Sequence, residues 1–264
     1  MEGYYVVRTI VAGRVGEKIK FFVSSSTGKR NKRSESSSLK KQAQNEYSAL
    51  KRLTREINEN FGAGDLLIGL DYSDKALHRV EERAEKMKGK ATTCAQGGAC
   101  EVLCDEDYII LAANVEMENL MKRVRRMGEK LGLGELRYIY ITSDMDGETG
   151  EAVRVHHHLL IPAEWGEVFN KCWEKNGSCD WEYLSRQDDY MPIAEYFLRQ
   201  VRRVPDGKAY HPSRNLRQPK VKDRIVYTDS MLKLPKGAKL LGYSAPNKSA
   251  HYMRYVLPEE RRKC

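Results

Sequence analysis

A long amphipathic helix followed at once by two apolar strands restricts this chain more than any other feature. Met117, Leu120, Met121, Val124, Met127 and Leu131 recur at i, i+3, i+4 and i+7, the spacing that lines one face of a helix. Lys122, Arg123, Arg125, Arg126 and Lys130 cover much of the remainder, so the Met/Leu stripe reads as core. Leu136–Thr142 and Val153–Ile161 then read as strands around a turn at Gly147 and Gly150. A connection this short favours antiparallel pairing, since parallel strands need a longer crossover. The predicted class is α+β, a central antiparallel sheet with flanking helices, rather than alternating βαβ.

The rest of the chain is placed around that hairpin. Tyr4–Val11 and Lys18–Val23 read as two strands joined through Gly13 and Gly16, followed by a Ser-rich basic loop over 24–38. A helix beginning near Leu39 and ending at Gly62 carries Leu39, Ala43, Tyr47, Leu50 and Ile57 on one face. Leu66–Leu70 reads as a buried strand, 74–88 as helix, 89–104 as an inserted loop, and Tyr108–Ala112 as another short strand. Trp165–Trp173 and Pro192–Arg203 suggest two more helices. Three regions result: 1–38, a core over 39–205 with a Cys-containing insertion near 89–107, and a Pro-, Gly- and Lys/Arg-rich extension over 206–264.

With 264 residues and 41 % apolar content the chain is of globular type. No apolar run approaches the ~20 residues of a membrane span, and no signal peptide is expected from Met1–Tyr5. The expected place is the cytoplasm. Of the net charge of +9, residues 1–55 and 206–264 carry +9 each and the segment between them −9. Basic flanks around an acidic centre permit a polyanionic partner, and equally permit solvated surfaces. Cys94, Cys100 and Cys104 lack a CxxC pair and read as reduced thiols rather than a zinc site.

Val155-His156-His157-His158-Leu159-Leu160-Ile161 is the chemical focus. Residues i and i+2 of a strand share a face, so His156 and His158 project together while His157 joins Val155, Leu159 and Ile161. Two imidazoles on one face fit a divalent cation, and they also fit a half-buried strand whose histidines only hydrogen-bond. Asp144, at the end of the preceding strand, is the carboxylate expected to join them. That donor set suits Mg or Mn, with zinc a further option. In the helix expected over Pro192–Arg203, Ile193, Ala194, Phe197, Leu198 and Val201 gather on one side. Tyr196 lies on the other, one turn from Arg199 and two from Arg203. A phenol beside guanidiniums ionises more easily and sits where a phosphate would be clamped; an ordinary surface tyrosine gives the same pattern.

The His-hydrophobic-His order followed some 40 residues later by a helical Tyr-x-x-Arg resembles the HUH endonuclease superfamily. It is most similar to the rolling-circle replication initiators of plasmids, phages and integrative elements of Gram-positive bacteria. Asn60-Phe61-Gly62-Ala63-Gly64-Asp65 resembles the family's NF-x-x-GD lead-in, and Leu66–Tyr72 its first motif. Lys122–Arg126 with Leu136–Thr142 resembles the basic helix and strand before the histidines. Ser213-Arg214-Asn215-Leu216-Arg217-Gln218-Pro219-Lys220 resembles the SRNL-x-x-P signature beyond the tyrosine. The resemblance spans roughly residues 40–220.

The resemblance implies a ferredoxin-like palm in which His156 and His158 hold Mg or Mn and Tyr196 is the nucleophile. Asp144 stands where relatives often have Glu, Arg199 where they usually have Lys, and Ile68-Gly69-Leu70-Asp71 where they read Leu-Thr-Leu-Thr. Arg199 keeps the charge of that Lys and loses its proton exchange. Attack by Tyr196 would leave a 5′-phosphotyrosine and a 3′-OH to prime replication. Arg123, Arg126, Arg203, Arg214, Asn215, Arg217 and Lys220 are the expected DNA contacts. Single-stranded or hairpin origin DNA is the implied partner. No Walker-type P-loop is present, so a host helicase and polymerase would assist. A DNA-binding protein of the same fold that does not cut, and a relaxase-type nickase, are the alternatives.

Overall fold

The computed structural model describes residues 3–24, 39–94, 103–202, 204, 208–247 and 250–259. The basic loop over 25–38, Cys100 and Arg203 lie outside the described residues. In chain order the elements open with β1 (Gly3–Ala12), β2 (Val15–Ser24), α1 (Leu39–Asn60), β3 (Leu66–Asp71) and α2 (Asp74–Cys94). Next come α3 (Asp105–Lys130), β4 (Ile139–Met145), β5 (Ala152–Ile161), a 3-10 turn (Ala163–Trp165) and α4 (Gly166–Trp173). The chain continues through β6 (Cys179–Tyr183), α5 (Met191–Gln200), β7 (His211–Pro212), β8 (Lys220–Val226), β9 (Lys239–Asn247) and β10 (Ala250–Val256). The described residues are thus α+β, with five helices and two antiparallel five-stranded sheets.

Contacts divide the chain into two compact units. The sequence breaks near 38 and 205, whereas the contacts place Met1–Asn60, Gln187–Pro192 and Arg217–Cys264 in one unit and Phe61–Arg186 with Ile193–Leu216 in the other.

In the first unit the strands run β8-β1-β2-β10-β9. Both expected extensions therefore enter one sheet: Val7 stands opposite Lys20 on one side and Arg224 on the other, and β10 pairs with β2. Strand β8 is polar and exposed along most of its length, so it carries no period-2 signal, and its pairing partner lies more than 200 residues away. The β1–β2 turn needs Gly13, with φ +56°, because a side chain there would also strike the Asn58 carbonyl of α1. Among the described residues, Glu17 and Lys20 are two of the buried charges of this unit, each held by a partner. Glu17, only 3 % exposed, accepts both arms of Arg55 at 2.9 and 2.7 Å. Lys20 Nζ reaches Asp229 at 2.6 Å and the Ser230 carbonyl at 2.7 Å.

In the second unit the order is β6-β3-β5-β4-β7, every pair antiparallel, with β5 in the centre. Leu66, Ile68, Leu70, Val155, Leu159 and Ile161 face one way and pack with Val80, Met117, Leu120, Phe169 and Trp173 of α2, α3 and α4. The expected strand at Tyr108–Ala112 is instead the second turn of α3. Three acids, Asp105 to Asp107, start that helix, and Asp107 accepts from the Cys104 backbone N–H at 2.9 Å. This capping box turns the apolar run 108–112 helical.

Candidate active site

Strand β5 alternates as its sequence requires. His157 is fully buried between two hydroxyls: Thr142 Oγ1 at 2.9 Å from Nδ1 and Tyr72 Oη at 2.7 Å from Nε2. Thr142 donates its proton to Asn114 Oδ1 at 2.7 Å. It must therefore accept from His157 Nδ1–H, and Tyr72 donates to Nε2. Burial, reinforced by the neighbouring histidines, holds His157 well below the ordinary imidazole range. This ring is a satisfied core group.

His156 and His158 share the opposite face, with ring centroids 4.9 Å apart and planes nearly perpendicular. His156 Nδ1 lies 2.9 Å from the Arg154 carbonyl. A carbonyl only accepts, so Nδ1 carries the proton and Nε2 keeps its lone pair, the tautomer that metal-binding histidines use. Burial, with His156 adding to it, pushes His158 down to about 4, so the ring is neutral at neutral pH.

Helix α5 brings Tyr196 to this face. Its ring lies 5.3 Å from that of His158, and Oη is 3.4 Å from His158 Nε2. Ser143, directly across the ladder from His156, donates to the Gln200 carbonyl at 2.7 Å, and Gln200 Nε2 donates to the Tyr196 carbonyl at 3.1 Å. Phe197 is fully buried beneath. Gly147 gives the helix room: a Cβ there would lie 2.9 Å from Gln200 Cγ and 3.1 Å from a Tyr196 ring carbon. Burial raises the phenol above its ordinary range, Gln200 partly offsets this, and Asp146, Glu182 and Glu148 raise it further. The sequence points to guanidiniums around this phenol; its charged neighbours are carboxylates, and Arg199 is exposed.

Asp144 does not join the histidines. It falls at the irregularity in the β4–β5 ladder between Ser143 and Met145, and its Oδ2 accepts from Arg202 Nε at 2.7 Å. Its other oxygen is buried without a hydrogen-bond partner. Alternation explains the difference, because Ser143 takes the face of His156 and the next residue turns away. The carboxylate that register places on the histidine face is Asp71, opposite His156 in the β3–β5 ladder and exposed. Opposed residues of antiparallel strands carry their Cβ atoms roughly 4.5–5.5 Å apart. Among the described residues no three His, Cys, Asp or Glu side chains already close around one point. The donors fit a hard or borderline divalent ion in part: one imidazole holds its lone pair ready, a second is neutral, and a carboxylate stands across the ladder. Mg²⁺ commonly completes such a shell with water and substrate phosphate.

The expected DNA contacts separate into several places. Asn215 donates to the Leu136 carbonyl at 3.3 Å and to Glu135 at 3.2 Å. Ser213 Oγ accepts from the Tyr138 N–H at 3.1 Å, and Leu216 is buried. The SRNL segment therefore fastens its loop to the approach to β4 and leaves Arg214 exposed. Arg217 binds Asn60 through its backbone, N–H to Oδ1 at 2.8 Å, and its side chain is exposed, as is Lys220 at the start of β8. Arg123 and Arg126 ride on α3, on the side of the sheet opposite His156 and His158. Tyr190 is 6 % exposed. Ser143, Gln200, Gly147 and Asp71 were not singled out as site residues by the sequence; only strand register or helix docking reveals them. Compared with protein-family models, curated proteins and solved structures, the chain matches none.

Proposed function

We propose that this chain is a metal-assisted, tyrosine-dependent endonuclease and strand transferase of the HUH type, acting on single-stranded or hairpin origin DNA to start rolling-circle replication. The observation that carries the reading is Tyr196 Oη at 3.4 Å from His158 Nε2, on the face of a central strand that also presents His156. Carboxylates at Asp71, Asp146, Glu148 and Glu182 lie on or around that face and would repel a bare phosphate, so a cation belongs between them and the substrate. A Mg or Mn ion held by His156 and His158, with Asp71 opposite, would supply Lewis-acid polarisation of the scissile phosphate.

The chain's own groups supply the rest. Tyr196 Oη forms the new O–P bond as the bond from phosphorus to the 3′ oxygen breaks. The phenolic proton is given up and the 3′ oxygen takes one up, leaving a 5′-phosphotyrosine and a free 3′-OH. Burial and the surrounding carboxylates favour the protonated phenol, so attack requires that this proton be lost. Ser143 and Gln200 fix the helix that aims the hydroxyl, and Arg199, exposed one turn on, is free to meet a phosphate as a fixed cation.

Incubating the protein with single-stranded DNA carrying its origin, with Mn or Mg and with EDTA, tests the proposal on a denaturing gel. A metal-dependent protein–DNA adduct is expected, absent from Tyr196→Phe. Cleavage without an adduct would overturn it in favour of a water-using hydrolase. The pairing of Asp144 with Arg202 rather than with the histidines favours one second reading, a DNA-binding protein of this architecture that does not cut. It calls for binding indifferent to EDTA and to His156→Ala.

A further inference from the structure

On the helical side of the second unit, away from His156 and His158, an open groove of about 910 Å³ runs between α2, α3 and α4. Helix α2 contributes Lys75 and Arg79, and α3 contributes Arg123, Arg126 and Lys130. Lys171 of α4 and Lys175 just beyond it close the far wall. No acidic residue lines the groove, and none of these cations is in an ion pair among the described residues. Their only neutral neighbours in the lining are Met127, Cys172 and Asn176, and Arg79 is braced on Asn176 Oδ1 at 3.1 Å. Arg123 and Lys171 both act on the Cys172 thiol, which places the α3 and α4 charges on one locus.

Seven like charges held together without a counter-charge repel one another, and an arrangement of that kind is relieved by a polyanion. The lining also says which form of polyanion. Single strands are held by aromatic platforms on which bases stack, and this groove has no aromatic residue. A duplex keeps its bases stacked inside and offers a regular line of phosphates that cations alone can follow.

We infer that this groove is a second DNA site that binds the phosphate backbone of duplex DNA on the side of the sheet opposite the tyrosine site. The choice of DNA among phosphodiesters rests on the function proposed above; the groove's charge does not. Such a site would grip the double-stranded flank of an origin while the other face handles the unpaired strand.

The test is fluorescence-anisotropy titration of the full-length protein with a short duplex of unrelated sequence, across a salt series. Two variants change exposed positions only: Arg123→Gln/Arg126→Gln/Lys130→Gln on α3 and Lys171→Gln/Lys175→Gln at α4. In the first, duplex affinity should fall by about tenfold or more near physiological salt, and the salt slope by about 0.9 for each cation removed. The second should behave alike in proportion, while affinity for an unpaired oligonucleotide changes much less. Unchanged duplex affinity and slope in both variants would overturn the inference. So would an equal loss on the single strand, or a loss confined to vesicles containing phosphatidylserine. Duplex binding is read without cleavage, so the result stands whether or not Tyr196 forms an adduct.

Discussion

The three consecutive histidines face two environments, and substitution should separate them. His157→Ala removes a buried ring and leaves the Tyr72 hydroxyl without its acceptor, while Thr142 keeps its bond to Asn114. It should cost about 2–4 kcal/mol of stability, measured by chemical denaturation. His156→Ala, at a half-exposed position, should leave the denaturation midpoint nearly unchanged and remove metal-dependent adduct formation. Asp71→Asn should raise the Mn or Mg concentration for half-maximal adduct by roughly tenfold. Asp144→Asn should leave that requirement where it is, because its carboxylate is bound to Arg202. The sharing of a face by His156 and His158 was legible from their spacing alone. The identity of the carboxylate was not, because the step from Ser143 to Asp144 is one residue and each residue of a strand reverses face.

At the scale of elements, the long helix α3 and the β4–β5 hairpin were readable because their signals are local: a 3.6-residue stripe, then two apolar runs around glycines. The start of α3 was not, since residues 108–112 taken alone are as apolar as a strand and only the cap at Asp107 decides. Asp107→Ala should therefore destabilise the protein by about 1 kcal/mol, read as a shift in denaturation midpoint. The docking of α5 was hidden for another reason. It depends on Ser143 and Gln200 meeting across 57 residues and on the bare backbone at Gly147. Gly147→Val should displace Tyr196 and lower the rate of adduct formation far more than it lowers stability, a comparison of single-turnover rate with denaturation midpoint.

Across the whole molecule, the two strands of the N-terminal flank were legible, whereas the Lys/Arg-rich C-terminal flank read as an extension whose composition gave no sign of β8, β9 and β10. Their order comes from pairing between ends of the chain: β8 on β1 and β10 on β2. Acid should weaken the second unit. Burial, with Lys208 adding to it, holds His211 down to about 4, while its ring stacks on Tyr140 with centroids 4.6 Å apart. An unfolded histidine takes up its proton near pH 6.5. Between that pH and about 4 the unfolded chain binds the proton that the fold refuses, so stability falls as pH falls. His211→Phe should reduce this loss, checked by denaturation at pH 7 and pH 5.

In the proposed reaction the Tyr196 hydroxyl becomes covalently joined to a DNA 5′ phosphate in a step that needs a divalent ion. The most direct measurement is protease digestion of the protein–DNA adduct, followed by mass spectrometry of the peptide that retains a nucleotide. The modified peptide should contain Tyr196 and be absent when EDTA is added before the DNA. A nucleotide on Tyr190 or on any other residue, or a Tyr196 adduct formed equally well in EDTA, would contradict it.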